Sequence, residues 1–247
     1  MAGIASDASA SSGPSRRSAT SSLITSRENE KLKLVRKLHE RRWRDKLGLF
    51  VAEGEDLVDA ARDAGWEPVE LLVAGENVEA ALLADASMLG HPPRVLAVFR
   101  RPAPSVVREP TLALWRVSDP GNVGTLVRSA DAFGAGVLIS DGSVDPFGPK
   151  ALRAAMGSTF RVPLGEFEVR PGSVALVADG GEPLDRLDLE LYPNLVLGSE
   201  REGLPDDIVA RCDVKATIAV GGVESLNVAI AGSIALYERS RQCRLRR

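Results

Sequence analysis

The chain has 247 residues, enough for two modest domains or one large one. It is 44% hydrophobic and 26% charged, the balance of an ordinary soluble globular protein, and no apolar run nears the ~18 residues that span a bilayer. The net charge of −3 gives no global nucleic-acid signal, and Cys212, Cys243, His39 and His91 lack the spacing of a zinc site, so no metal is expected and a reducing cytoplasm is the simplest compartment.

Residues 1–26 are mostly Ser, Ala and Gly, with Arg16 and Arg17 among them. Such composition buries too little apolar area to offset chain entropy, which predicts a disordered tail. A Ser- and Arg-containing, acid-poor start also fits an organelle transit peptide, although no amphipathic face is visible, and the apolar core of a secretory signal is missing. From Arg27 to Lys46, nine basic residues stand against four acidic ones, and Leu34, Val35 and Leu38 give a thin apolar stripe at helical spacing. A charge run of this kind is ordinarily a solvated helix face. Read functionally it is a footprint for RNA backbone, with Lys33, Lys37, Arg41 and Arg44 meeting phosphates. Trp43 would stack on a base, although a single Trp in an amphipathic helix more often joins the core.

A short strand, a turn and a helix over 49–61, a strand over 69–74, a helix over 78–83 and a strand over 95–99 follow. This alternation predicts a small α/β domain over 27–103. Pro102 and Pro104 open a linker, 104–110. The remainder, 111–247, alternates more regularly. Continuous apolar strands are expected at 112–117, 137–139, 174–178, 195–197 and 216–220, and helices at 122–133, 149–156 and 226–241. Such strands imply a mostly parallel sheet covered on both faces, whose ligands bind at the carboxyl ends of the strands. Three Gly-containing polar turns follow strands and so fall on that edge.

These turns exclude several chemistries. Gly198 to Gly203 has GxxxxG spacing but continues Leu204-Pro205, which excludes a phosphate-cradling P-loop, and no GxGxxG opens a helix. Both histidines lie in the N-terminal half, so no Ser/His/Asp arrangement is legible. Taken singly, each turn has a bland reading. Asn122 is a good helix N-cap. Arg128 falls about 240° from it around an ideal helix, off the apolar face beside Ser129 and Asp131, where a surface ion pair is the ordinary outcome. Gly198 and Gly203 permit close backbone approach or positive φ around Glu200. Ser225 is a natural N-cap, whereas Asn227, at the second helical position, has no capping role and is a poor helix former.

Taken together, Asn122-x-Gly124-x-x-x-Arg128, Gly198-x-Glu200-x-x-Gly203 and Ser225-Leu226-Asn227-Val228 resemble the three motifs of the SpoU (TrmH-like) RNA 2′-O-ribose methyltransferases of the SPOUT superfamily. The resemblance covers most of 112–242, including Asp145 to Ser158. The N-terminal half resembles, mainly through Phe50-Val51-Ala52-Glu53-Gly54, the substrate-binding domain of thiostrepton-resistance-type ribosomal RNA methyltransferases.

The resemblance implies an α/β fold, a knotted (trefoil) parallel-sheet methyltransferase domain after a smaller RNA-binding domain, and S-adenosylmethionine as cofactor. Leu197, Gly198, Ile218, Val220, Ser225 and Leu226 would hold that cofactor. Asn122, Arg128, Glu200, Ser225 and Asn227 would carry catalysis on a ribose 2′-hydroxyl of structured RNA. Ribosomal RNA is the favoured substrate, transfer RNA the second; a catalytically inactive RNA-binding or ribosome-assembly factor is the alternative. The family also implies a homodimer. The small and apolar residues from Ala229 to Ala235 exceed what one face of a surface helix needs to bury.

Overall fold

The computed structural model describes residues 23–221 and 225–245, so the tail expected over 1–26 lies almost entirely outside the described residues. Its last residues do not behave as a tail: Ile24 N–H donates to the Asn77 carbonyl at 2.9 Å, tying the chain down before Arg27.

The N-terminal unit is built from α1 (Glu30–Leu38), α2 (Arg41–Leu47), β1 (Leu49–Glu53), α3 (Glu55–Asp63), β2 (Glu70–Val73), α4 (Ala80–Ala86) and β3 (Val95–Arg100). Its three strands form an antiparallel sheet ordered β1-β3-β2. The basic segment expected as one helix is two. The chain turns extended at Glu40, and Arg44 reaches back to donate from Nη1 to the Leu38 and His39 carbonyls, each at 2.9 Å. It thereby satisfies carbonyls that the end of α1 would leave unpaired. The buried stripe of α1 is Leu32, Val35 and Leu38; Leu34 is only half-buried.

The C-terminal unit holds β4 (Thr111–Leu114), α5 (Pro120–Phe133), β5 (Gly136–Ile139), α6 (Pro149–Ala155), β6 (Leu164–Glu166), β7 (Ser173–Leu176), β8 (Glu182–Pro183), β9 (Asn194–Leu197), α7 (Asp206–Val209), β10 (Val214–Thr217) and α8 (Val228–Leu245). The seven strands run β6-β5-β4-β9-β7-β10-β8, every pair parallel. β4 and β9 are buried along their whole length, as uninterrupted apolar strands between helical layers should be. Two glycines set the helix layers close. A Cβ on Gly124 of α5 would meet the Ala151 carbonyl of α6 at 2.5 Å, and one on Gly232 of α8 would meet Leu126 of α5 at 2.4 Å. Among the described residues no helix is long and apolar enough to cross a membrane.

The two units share a core. Phe50, Trp66 and Phe99 interlock with Phe147 and Phe160, the Phe50 and Phe147 rings lying 4.8 Å apart, and Trp66 Nε1 donates to the Phe160 carbonyl at 2.9 Å. Beside this cluster runs a buried ion pair, Arg44 Nε to Asp145 Oδ2 at 2.6 Å. Arg41 Nη1 donates to the Ser143 carbonyl at 2.9 Å. α2 therefore rests on the loop that follows β5, at the carboxyl edge of the parallel sheet.

Candidate active site at the carboxyl edge of the sheet

The three polar turns leave the carboxyl ends of β4, β9 and β10. β4 and β9 are neighbours, with Leu114 opposite Leu197, and β10 lies one strand beyond, across β7. Parallel pairing thus gathers motifs far apart in the chain onto one edge.

The first turn is closed by Asp119, not by Asn122. Asp119 caps α5, its side chain accepting from the Asn122 N–H at 2.9 Å, and Pro120 fills the first helical turn where its missing N–H costs nothing. The Asn122 side chain is left for another task. Its Nδ2 donates to Glu200 Oε1 at 3.0 Å, and its Oδ1 accepts from Asn227 Nδ2 at 3.1 Å. The third turn reverses its expected capping too. Asn227 Oδ1 accepts from the Ala229 and Ile230 N–H groups at 2.9 and 3.3 Å, so Asn227 caps α8 and Ser225 lies before the helix. Asn227 is consequently a cap and a donor to the first turn at once.

Glu200 anchors this network. Besides Asn122, its carboxylate accepts from the Asp119 N–H at 2.9 Å and from the Ser118 N–H and hydroxyl, each at 3.1 Å. Partial desolvation works against its charge, but the bonds from Asn122, Asp119 and Ser118 outweigh it and hold the carboxyl down to about 2. A carboxylate so committed is a poor proton acceptor near neutrality. It positions the first turn.

The turn around Glu200 is a tight hairpin: Ser199 and Gly203 exchange N–H···O bonds at 3.0 and 3.1 Å. Gly203 adopts φ +67°, and a Cβ on Gly198 would lie 2.0 Å from the Gly203 carbonyl carbon. Gly198 is therefore required by its own chain, whatever else approaches it.

Arg128 stands exposed on α5 and makes no ion pair or hydrogen bond among the described residues. The neighbour expected to pair with it, Asp131, is held by Arg161 at 2.6 Å instead.

Behind the polar network lies a cleft of about 520 Å³. All six residues expected to hold the cofactor, Leu197, Gly198, Ile218, Val220, Ser225 and Leu226, line it, together with Glu200 and Asn227. β10 ends at Thr217, earlier than expected, so Ile218 and Val220 leave the sheet and face the cleft. The main-chain groups of Ile218, Val220 and Leu226 take no backbone partner among the described residues, which leaves them free to read the edge of a planar ring. Apolar walls, free main-chain donors and acceptors, and a volume of this size fit the nucleoside of S-adenosylmethionine. Leu176 to Ala178, which no motif marks, also line the cleft, because β7 sits between β9 and β10. Only sheet order reveals that adjacency.

Of the four expected phosphate contacts, Arg44 is overturned. It is 4% exposed and committed to Asp145. Lys33 pairs with Glu28 and Glu30, and Arg41 with Asp45 and Ser143. Lys37 alone of the four has no acidic partner among the described residues; it lies 5.3 Å from the Trp43 ring centre.

Residues 109–237 match the model of the SpoU rRNA Methylase family, and residues 29–98 match that of the MRM3-like substrate binding domain. A 23S rRNA (guanosine(2553)-2′-O)-methyltransferase of Bacillus subtilis is 30% identical over 87% of this chain and 97% of its own length. A 23S rRNA (uridine(2479)-2′-O)-methyltransferase of Streptomyces viridochromogenes is 31% identical over 89% of this chain and 92% of its own. Among solved structures, the AdoMet-bound rRNA methyltransferase of Sinorhizobium meliloti superposes with a TM-score of 0.80 at 30% identity, covering 88% of this chain and 97% of that one. The AdoMet complex of AviRb from Streptomyces viridochromogenes gives 0.76 at 27% identity, covering 87% and 98%. With motifs, sheet order and cleft all in agreement, the chain belongs to the SpoU rRNA methylase family.

Proposed function

We propose that this protein transfers a methyl group from S-adenosylmethionine to a ribose 2′-hydroxyl of ribosomal RNA. The observation that carries the reading is the chain of side chains Glu200–Asn122–Asn227 at the mouth of an apolar cleft, with Arg128 exposed on the helix whose first turn holds Asn122 and without an ion pair among the described residues. Ribosomal rather than transfer RNA is favoured by the substrate-binding match in the N-terminal unit and by the substrates named for both relatives. The substrates and activities named for both relatives argue against an inactive assembly factor.

When bound, S-adenosylmethionine would supply an electrophilic sulfonium methyl to the ribose 2′-oxygen and keep the sulfur as its leaving thioether, the hydroxyl proton passing to phosphate or water. Ser225, Leu226, Ile218, Val220, Leu197 and Gly198 hold the adenosine end. Arg128 is not the base, because a guanidinium stays protonated at any working pH. It grips a phosphate and stabilises the developing alkoxide, a task worth ~3–4 kcal/mol of barrier for one preorganised donor. Glu200 acts through Asn122 by fixing the start of α5, on which Arg128 rides.

The same reading places 27–103 on the RNA, a trefoil knot in 111–247, and the protein in the cytoplasm as a homodimer. The dimer is motivated by α8, where Ile230, Ile234 and Tyr237 stay exposed at helical spacing. Tritiated S-adenosylmethionine with ribosomal RNA tests the activity: wild type incorporates label and Arg128→Ala does not. Equal incorporation by the two would remove Arg128 from the mechanism, and none by wild type would reject the function.

A further inference from the structure

We propose that Trp43, with Lys37 and Lys46, forms a binding site for an unpaired nucleotide of the RNA substrate, the base stacking on the indole and flanking phosphates meeting the two ammonium groups. The inference rests on the RNA-substrate reading above and adds a place and a mode of recognition to it.

Trp43 did not join the core. It belongs to none of the apolar clusters and pairs with no aromatic ring among the described residues, unlike Trp66 and Trp115. Its neighbours are cations: Lys37 at 5.3 Å, Arg42 at 5.6 Å and Lys46 at 5.2 Å from the ring centre. Their convergence is unlike the rest of this basic segment. Lys31 pairs with Glu70 at 2.6 Å, Lys33 with Glu28 and Glu30, and Arg36 with Asp85 at 2.9 Å, as the charges of a solvated face ordinarily do. Lys37 and Lys46 have no such partner among the described residues; of the three cations around the indole only Arg42 has one, Glu40. Arg42 and Lys46 stand one helical turn apart, a like-charge spacing that destabilises a helix, and Lys37 adds a third positive charge from α1. An incoming polyanion relieves that repulsion.

The platform is also anchored. Arg44, next to Trp43, is buried against Asp145 and the end of α1, and Arg41 is bonded to Ser143. α2 is thus locked to the loop after β5, on the edge where the candidate active site lies. An RNA strand held at Trp43 is held on a helix that is itself bonded to this edge through Arg41 and Arg44. An indole face stacks only on a base that is out of a duplex, so the class of ligand is single-stranded RNA: a loop, bulge or splayed base.

Anisotropy titration of a short fluorescein-labelled oligouridylate, against duplex RNA of equal length, tests the site. Trp43→Ala should weaken single-strand binding about tenfold, the low end for loss of one base-stacking aromatic, and Trp43→Phe should restore most of it. Lys37→Gln with Lys46→Gln should flatten the log–log salt dependence by roughly 0.7 per lost single-strand phosphate contact. Thermal melting and calorimetric affinity for S-adenosylmethionine should match wild type, because Trp43 lies outside both the core and the cleft. No wild-type binding, unchanged affinity in Trp43→Ala, or equal loss on duplex and single strand would overturn the site. If Trp43 governs binding but ribosomal RNA receives no methyl group, the proposed activity fails and the site stands. If methyl transfer is intact and Trp43→Ala binds normally, the reverse holds.

Discussion

Replacing Arg44 with Ala should cost the fold ~3–5 kcal/mol, the range found when one partner of a buried ion pair is removed. The figure follows from what Arg44 holds. Its side chain is 5% exposed and that of Asp145 is 1% exposed, so neither charge has water to fall back on. Removing the guanidinium strips Asp145 Oδ2 of its 2.6 Å donor and leaves only the Phe147 N–H on Oδ1, with Arg101 at 3.5 Å. It also strips the buried Leu38 carbonyl and the part-buried His39 carbonyl of theirs, a stranded buried acceptor costing about 1–3 kcal/mol. Added to the stranded carboxylate these losses would overshoot that range, but Arg101 can swing closer to Asp145 and lower the cost, so the range for a broken buried pair is kept. Urea denaturation of wild type, Arg44→Ala, Asp145→Ala and the double variant supplies a cycle in which the two single losses should not add. The coupling should reach at least about 1 kcal/mol for groups in direct contact. A cost near zero for Arg44→Ala, with weakened RNA binding, would refute the reasoning and return Arg44 to the role of a surface phosphate contact.

Arg128→Lys should lose nearly as much methyl transfer as Arg128→Ala in a steady-state assay, because an ammonium lacks the forked donor geometry, while calorimetry shows cofactor affinity retained in both. Gly198→Ala forces a Cβ to within 2.0 Å of the Gly203 backbone and should abolish S-adenosylmethionine binding, read by calorimetry, although only one methyl group is added. The Glu200 carboxyl is held at about 2, below its ordinary 4.5, so its contribution to the site is complete above pH 4.5 and is lost as pH falls toward 2; a cofactor-affinity profile should show no Glu200 titration between neutrality and 4.5, and Glu200→Gln should weaken binding throughout. Ile234→Glu on α8 should shift sedimentation from dimer to monomer mass, and a wild type that sediments as an active monomer would reject the interface.

Much of the architecture was legible because it rests on short-range pattern. The apolar runs at 112–114, 137–139 and 195–197 become β4, β5 and β9, and the three Gly-containing turns mark the sheet edge. What escaped depended on long-range partners. Arg44 reads as one more surface charge until Asp145, a hundred and one positions away, is seen beside it. The break at Glu40 has no Pro or Gly to announce it; Arg44 reaching back to cap α1 makes it tolerable. Asn122 and Ser225 both look like caps, yet Asp119 and Asn227 take those places, because the pull of Glu200 on Asn122 decides which residue is free. β6 and β8 are too short and too exposed to show a hydrophobic period. Glu53 looked like part of a family signature; its buried carboxylate joins His39, Ser87 and Met88, and so fastens the ends of α1 and α4 to β1.

The central claim is that the Glu200–Asn122–Asn227 edge presents an RNA ribose to a bound methyl donor. The most direct measurement is to incubate the protein with labelled S-adenosylmethionine and total RNA, digest the RNA, and identify the methylated atom and the RNA that carries it. Label is expected on a ribose 2′-oxygen of ribosomal RNA, seen as a dinucleotide that survives alkaline hydrolysis. Label on a base, label confined to transfer RNA, or no label at all would contradict it.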